Sequence, residues 1–321
     1  MTLLPTTAMP TFTSKPWLLY AYPWQPYPRR LVIYLRERNI PSSLVTVVNV
    51  SDVQFGAKVP AGFPPKPPGS LPILAIPKEK EPKPPTQGAA AEFLFIKQSI
   101  AIMEFLEEAC NAGRYGFPKL DAPLALPLNE PLPSAGTTGG IAGDTEADAA
   151  SRALLAARHS ELLSLANGLT ETWNPVRTFG SGTGTMRIPT AAKEMLGWTR
   201  RGLLAVENWF EENRYDGGLR YDDDGNPGKR QRQATIAEIV LFQFLEFTDY
   251  CYGVDMTRSS GKTVVDVYGR EVVEDFPRLR RFYEEFATRP SVRRCAEVGD
   301  VPHERWVGMM RDWSEGIFEG K

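Results

Sequence analysis

The chain has 321 residues, of which 42% are hydrophobic and 24% are charged, enough length and apolar content for two domains of ordinary size. Its 37 basic and 39 acidic residues give a net charge of −2, which argues against a nucleic-acid or anionic-membrane partner. Three widely spaced cysteines argue against a disulfide framework, and two histidines leave no metal-ligand spacing. No apolar run approaches the roughly 20 residues that cross a bilayer. We therefore expect a cytoplasmic protein with no metal site.

The first part of the chain alternates short apolar runs with helical patterns. After a disordered tail over residues 1–14, the sequence predicts a strand from Trp17 to Tyr22, a helix from about Arg29 to Arg38, and a second strand around residues 44–48. Two more strands are predicted, one from Pro72 and a buried one over residues 93–96, before a helix that starts at Ser99. This order predicts an α/β thioredoxin-like domain over residues 15–112.

The segment around Pro72 and Ser99 is where we expect a binding site. Proline donates no ladder hydrogen bond, so Pro72 fits the first position of a strand that is entered through a tight, cis turn. Ser99 is predicted to be the N-cap of a helix whose apolar residues are Ile102, Phe105, Leu106 and Ala109. Free backbone amides and a hydroxyl at one edge of a sheet suit a carboxylate.

Helical patterns dominate the second part of the chain. Residues 113–147 are predicted to be a linker, because they are rich in Gly, Pro, Ala and Thr. An all-α helical bundle is predicted over 148–298, in which Thr235 and Glu238 form a capping box at the start of a buried helix. No strand is expected there. The aromatic C-terminal tail, 299–321, is expected to pack either on this domain or on a neighbouring subunit.

Four segments together carry a resemblance to a known family, namely residues 68–74, 98–106, 235–238 and 276–291. The chain resembles the cytosolic glutathione S-transferases over residues 16–112 and 150–298, as an atypical member with long insertions. The resemblance implies a thioredoxin-like glutathione-binding domain, an all-α substrate domain and a homodimer. It also implies glutathione as the cofactor.

The resemblance further implies how glutathione is held. Its γ-glutamyl carboxylate would meet Ser99, with Gln98 at the same end, and its cysteinyl peptide would pair with the Leu71 backbone next to Pro72. Lys66 would lie near the glycyl carboxylate. The alternative for Ser99 is a helix cap without a ligand.

The residue that activates the sulfur is where the chain departs from the family pattern. Family members have a Ser, Tyr or Cys just after the first strand, whereas this chain has Gln25. Because Gln25 carries no thiol, mixed-disulfide chemistry centred there is excluded. The Gln25 amide and the hydroxyls of Tyr22 and Tyr27 are candidates to contact the sulfur. Either tyrosine could instead be a packing residue.

The resulting functional hypothesis is a glutathione-dependent transferase that presents the thiolate to a hydrophobic electrophile. Conjugation is one outcome, and addition followed by elimination, giving isomerisation or ether cleavage, is another. The resemblance implies a substrate pocket near Trp24, His159, Trp173 and Arg177, although Trp173 also fits a core position and His159 a surface one. The alternative function is a non-catalytic protein, either glutathione-binding and regulatory or a scaffold, with the same fold.

Overall fold

The computed structural model describes most of the chain, over residues 16–51, 57–78, 93–113, 116–118, 146–181, 186–215, 217, 219, 232–315 and 317. The predicted tail over 1–14 and most of the predicted linker lie outside these residues. The chain divides into two compact units. The first unit comprises Met1–Asp121 and Cys295–Asp300, and the second comprises Ala122–Arg294 and Val301–Lys321.

The first unit has a mixed sheet with two helices. Its elements in chain order are β1 (Trp17–Ala21), α1 (Pro26–Glu37), β2 (Val45–Asn49), β3 (Ile73–Pro77), β4 (Phe93–Lys97) and α2 (Ser99–Asn111). The strands form a four-stranded sheet in the order β2-β1-β3-β4. β1 runs parallel to β2 and antiparallel to β3, and β3 is antiparallel to β4. This topology confirms the predicted thioredoxin-like fold.

The two central strands are buried throughout, because β1 and β3 consist almost entirely of apolar residues. β4 is different. Among the described strands it pairs with β3, at the edge of the sheet, and its Leu94 and Phe95 are 42% and 44% exposed. The predicted strand over residues 93–96 is confirmed. Its predicted burial was wrong, since an apolar run predicts a strand without telling whether a layer covers it.

α1 contains buried charges, which is unusual for a helix interior. Arg29 and Arg30 are fully buried. Arg29 Nη1 lies 2.7 Å from Asp300 Oδ2, and Arg36 Nη2 lies 3.0 Å from the same oxygen. The ion pairs join α1 to Cys295–Asp300, the part of the first unit that comes late in the sequence. α1 also begins at Pro26, earlier than predicted, because proline is favoured in the first helical turn.

A second polar cluster joins α1 to α2. The Tyr34 hydroxyl donates to Glu107 Oε2 at 2.6 Å, and the Arg38 guanidinium donates to both Glu107 oxygens at 2.8 and 2.9 Å. Buried charges need partners. The two-pronged contact of the Arg38 guanidinium with the Glu107 carboxylate pairs the charges that α1 and α2 bury when they pack.

The second unit is mostly helical, as predicted. Its elements are α3 (Glu146–Ser181), α4 (Pro189–Glu212), α5 (Ile236–Tyr252), β5 (Thr263–Val265), β6 (Glu271–Val273), α6 (Pro277–Ala287) and α7 (Glu304–Glu315). α3 continues through Pro175 to Ser181, because Trp173 and Val176 extend its buried face. The antiparallel hairpin of β5 and β6 was not predicted. No helix among the described residues has the length and apolarity to span a membrane.

The capping box at the start of α5 is confirmed. The Glu238 amide donates to Thr235 Oγ1 at 3.3 Å, and the Thr235 amide donates to Glu238 Oε2 at 2.7 Å. Glu238 also forms an ion pair with Arg232 at 2.7 Å and accepts a hydrogen bond from Tyr215. Burial raises the pKa of Glu238, but the charge and hydrogen bonds of Arg232 and the other donors outweigh burial and hold the pKa below its usual value.

The aromatic segment near the C-terminus forms α7, which packs within the second unit. The Trp313 ring meets the Tyr252 ring edge-on at 5.3 Å, and Ser314 Oγ donates to the Tyr252 carbonyl at 2.7 Å. Of the two expectations for this tail, packing on its own helical unit is the one that these contacts support.

Candidate functional site

The edge of the first unit's sheet where β3 begins has the predicted geometry. The Leu71–Pro72 peptide bond is cis, which confirms the tight turn. Ile73, the first residue of β3, is paired with Lys97, the last residue of β4. Because these residues are neighbours across the ladder, Leu71 and Pro72 lie beside the entrance to α2.

The N-terminus of α2 has no capping side chain. The helix begins at Ser99, and Gln98 is the N-cap, with no hydrogen bond from its side chain to the first turn. The prediction that Ser99 is the N-cap was therefore wrong by one position. No acidic residue lies in the first turn, and Ser99 is only 3% exposed. The amides at this end are thus available to an anion.

Gln98 has an unusual backbone conformation, with φ 74° and ψ 125°. A residue other than glycine in such a sparsely populated region costs on the order of 1–3 kcal/mol, and these residues cluster at ligand sites. Here the conformation turns the chain sharply from β4 into α2. The turn leaves the Gln98 side chain exposed beside Ser99.

The main chain at Leu71 is a second open group. Among the described residues, no hydrogen bond involves the Leu71 amide or carbonyl. Unpaired main-chain groups next to a strand can pair with another peptide in the manner of an added strand. Leu71 and the first turn of α2 therefore offer peptide pairing and anion binding at one edge of the sheet.

Two lysines lie at this edge, one predicted and one missed. Lys66 Nζ donates to the carbonyls of Pro67 and Gly69 at 2.9 and 2.6 Å, so part of its hydrogen-bonding capacity orders the loop. Lys97 is exposed, and its Nζ lies 3.0 Å from where a Cβ on Gly69 would be. Its position directly before Gln98 was the signal that could have identified Lys97.

The turn after β1 holds the predicted sulfur contacts. Gln25 is half-buried and is the N-cap of α1, but its side chain makes no capping hydrogen bond. The main-chain amide of Gln25 donates to the Tyr22 carbonyl at 3.0 Å. The Tyr22 ring contacts the buried Trp24 ring edge-on at 5.1 Å, and the Arg30 guanidinium lies 4.9 Å from the centre of the Tyr27 ring. Both tyrosines therefore make packing contacts, and their roles at a sulfur stay predictions.

The predicted pocket residues of the second unit all lie on α3. His159 is buried. Trp173 is fully buried, with edge-on contacts to Phe244 and Tyr252 at 6.4 and 5.3 Å. The Arg177 guanidinium lies 5.9 Å from the Phe247 ring. The structure brings Trp173 into the aromatic core of this unit, and a substrate pocket near these residues stays a prediction, as it does for Trp24.

The buried cysteines are poor candidates for thiolate chemistry. Burial, with a contribution from the Glu107 carboxylate, raises the pKa of Cys110 to about 11 against a lowering effect of Arg38. Burial likewise raises the pKa of Cys251 to about 12. Because the thiolate is the reactive form, both side chains are unreactive near neutral pH.

Several solved structures are similar to this chain. One is a glutathione S-transferase from Methylobacillus flagellatus with glutathione bound, at 17% identity over 86% of this chain and 96% of that chain, with a TM-score of 0.44. A maleylacetoacetate isomerase from Anaeromyxobacter dehalogenans, also with glutathione bound, has 19% identity over 88% and 94%, with a TM-score of 0.44. Ure2p in complex with glutathione has 16% identity over 87% and 97%, with a TM-score of 0.46. No protein-family model and no curated protein sequence matches the chain.

Proposed function

We propose that the first unit binds glutathione and that the protein is a glutathione-dependent transferase. The observation that carries the proposal is the uncapped N-terminus of α2 beside the Leu71 main chain, which has no hydrogen-bond partner among the described residues. Glutathione has the matching chemistry, because it is an extended peptide with a carboxylate at each end.

In this proposal the γ-glutamyl carboxylate accepts hydrogen bonds from the first-turn amides of α2 and from the Ser99 hydroxyl. The positive end of the helix dipole stabilises that charge. The Gln98 side chain contacts the α-amino group at the same end. Charge-assisted hydrogen bonds of this kind are about twice as strong as neutral ones.

The peptide middle of glutathione pairs with the Leu71 main chain, and the glycyl carboxylate lies near the lysines. Lys97 is a better candidate for this carboxylate than sequence reasoning allowed, because the Lys66 ammonium already donates to two loop carbonyls. Two lysines also raise the local concentration of an anionic peptide at this edge.

The sulfur in this proposal points to the turn after β1. Three donors could stabilise a thiolate there: the side-chain amide of Gln25, the main-chain amides at the N-terminus of α1 and the Tyr22 hydroxyl. The thiolate then adds to a hydrophobic electrophile. Conjugation forms a lasting carbon–sulfur bond, whereas isomerisation or elimination releases glutathione again.

Calorimetry with glutathione tests the binding step. We expect the wild-type chain to bind glutathione, and Ser99→Ala to bind it about tenfold more weakly, because it loses a hydrogen bond to a charged group. Ser43→Ala, an exposed serine of the same unit, is the matched control and should bind like the wild type. No heat of binding at millimolar glutathione with folded protein would contradict the proposal.

A second candidate function is a glutathione-binding protein without catalysis. It is favoured by the side chain at the turn after β1, where Gln25 supplies neither a thiol nor an ionisable hydroxyl. Ultraviolet titration of the bound thiol distinguishes the two functions. A thiol pKa below that of free glutathione, which rises in Gln25→Ala or Tyr22→Phe, supports catalysis, and an unchanged pKa supports the non-catalytic function. The hydrophobic second substrate and the homodimer stay predictions.

A further inference from the structure

The second unit contains a cavity of about 820 Å³ that no predicted site residue lines. Its walls come from α4, from the loop after α5, and from β5 and the segment after β6. Five basic residues line this cavity, which we call the basic cavity: Lys193, Arg200, Arg201, Arg258 and Lys262. A space of this size suits an organic molecule rather than a single ion.

Arg200 is the fixed part of the wall. Its guanidinium forms an ion pair with Glu274 at 2.6 Å and donates to the Arg258 carbonyl at 2.8 Å. It also lies 4.8 Å from the centre of the Phe276 ring. Through these contacts Arg200 joins α4 to the loop after α5 and to the segment after β6. Its charge is paired with Glu274, and its role is to hold these segments of the wall in place.

The two acidic residues of the cavity are already engaged. Glu274 is paired with Arg200. Asp255 Oδ1 accepts hydrogen bonds from the Thr257 amide and hydroxyl at 2.9 and 2.6 Å, which closes a local turn. The donors to Asp255 are neutral, so that carboxylate keeps its charge, and the Glu274 carboxylate also attracts the Lys262 ammonium. Five basic and two acidic residues still leave the lining with three excess positive charges.

Arg201, Arg258 and Lys262 carry the unbalanced charge. Within the described ranges none of the three lies within 4 Å of a carboxylate oxygen, although Lys262 attracts the Glu274 carboxylate from a longer distance. The Arg201 guanidinium is stacked at 4.9 Å on the Trp198 ring, which is 50% exposed. Stacking fixes the plane of the guanidinium and leaves its N–H edges able to donate to a carboxylate or a phosphate.

The rest of the lining is apolar or open. It includes Leu196, Val254, Met256, Val264, Val265 and Ile317. Gly197 also lines the cavity, and a Cβ added there would have no atom within 4 Å. A ligand that matches both parts of the wall combines an anionic head with an apolar body.

We propose that the basic cavity is a binding site for an organic anion, in which Arg201, Arg258 and Lys262 hold a carboxylate or phosphate head and the apolar wall holds the body. This site is separate in sequence and in unit from Leu71 and Ser99, and the inference does not depend on glutathione binding.

Calorimetry on the full chain with four probes tests the ligand class. The probes are 1-naphthoate, 1-naphthyl phosphate, neutral 1-naphthol and inorganic phosphate. We expect one or both naphthyl anions to bind at least about tenfold more tightly than naphthol and inorganic phosphate, because only they satisfy both parts of the wall. The tighter of the two anions identifies the head group. Equal binding of naphthol and the anions, or no binding of either anion, overturns the proposal.

Variants then locate the binding. Arg258→Gln and Arg201→Gln should each weaken the better anion about tenfold, and Gly197→Leu should abolish binding by filling the space. Arg305→Gln, an exposed arginine of α7 outside the cavity, is the matched control and should bind like the wild type. Equal losses in Arg305→Gln and Arg258→Gln, or full binding in Gly197→Leu, would show that the anion binds elsewhere.

Ser99→Ala separates this site from the proposed glutathione site. That variant should keep the full affinity for the naphthyl anion. Conversely, Arg258→Gln should keep the full affinity for glutathione. If Arg258→Gln lost glutathione instead, glutathione would be a ligand of the basic cavity, and the assignment to Ser99 would fail while this one stood.

Discussion

Asp300 is a buried carboxylate whose charge two arginines of α1 neutralise. Its oxygen lies 2.7 Å from Arg29 and 3.0 Å from Arg36, and neither the Arg29 nor the Asp300 side chain is exposed. Removing one member of a buried ion pair leaves the other charge desolvated, which costs more than the pair contributed. Single residues of this kind therefore carry a large share of the stability.

We expect Asp300→Asn to lower the free energy of unfolding by about 3–5 kcal/mol, because the Arg29 guanidinium stays buried without this carboxylate. Urea unfolding followed by circular dichroism measures the change. Asp312→Asn, on the exposed side of α7, should change stability by less than about 0.5 kcal/mol. Equal stabilities of the two variants would contradict this account of Asp300.

Glu238 makes stability depend on pH. Its pKa in the folded chain lies below the usual 4.5, so the stability it contributes is present above pH 4.5 and is lost as the pH falls through the folded pKa. Glu238→Gln should therefore be less stable than the wild type at pH 7, and the difference in Tm should shrink as the pH falls below 4.5. Parallel Tm curves between pH 7 and pH 3.5 would show that this carboxylate does not titrate as described.

At the level of elements, two glycines of α3 have opposite surroundings. A Cβ at Gly168 would have no atom within 4 Å, whereas a Cβ at Gly180 would overlap the Trp313 ring and the Ile317 side chain. At Gly168 the absence of a side chain only costs backbone entropy. At Gly180 it allows α3 and α7 to approach closely.

Gly168→Ala should therefore raise the free energy of unfolding by about 0.5–1 kcal/mol, and Gly180→Ala should lower it by about 1–3 kcal/mol through overpacking. Each variant is the control for the other, because both change one methyl group in the same helix. Thermal unfolding of the two variants side by side would refute the packing argument if their Tm values moved in the same direction.

The elements also show how far the sequence determines the structure. α5 and the cis turn at Pro72 were predictable, because a capping box and a proline at a strand start act through neighbouring residues. The β5–β6 hairpin was not, since its three-residue strands are too short to show a period and Asp266 organises its turn by accepting hydrogen bonds from the amides of Tyr268 and Arg270. The end of α3 beyond Pro175 depends on tertiary packing.

The candidate site divides in the same way. Leu71, Pro72 and Ser99 were predictable as a group, because the signals lie in two short segments. The N-cap was misplaced by one residue because the positive φ of Gln98 has no sequence signature. The basic cavity could not be predicted from the sequence, since Arg200 and Glu274 are brought together only by the fold of the second unit.

On the scale of the whole molecule, the first unit is built from two separate parts of the chain. Residues 1–121 lack Asp300, which the complete unit buries against Arg29. We expect a fragment of residues 1–121 to melt at a lower temperature than its counterpart extended by a flexible linker to residues 295–300. Circular dichroism melts compare the two, and the same linker ending in 295–300 with Asp300→Asn is the control. Identical melts of all three fragments would mean that this segment contributes nothing to the unit.

The late position of Cys295–Asp300 has a consequence during synthesis on the ribosome. N-terminal domains ordinarily fold as soon as they emerge. Here the partner of Arg29 is translated only after all of Ala122–Arg294, on the order of ten seconds or more later at usual elongation rates. During that interval the nascent first unit lacks the Asp300 carboxylate that pairs with Arg29 of α1. We therefore expect chaperones to bind this protein most during translation and less once the chain is released.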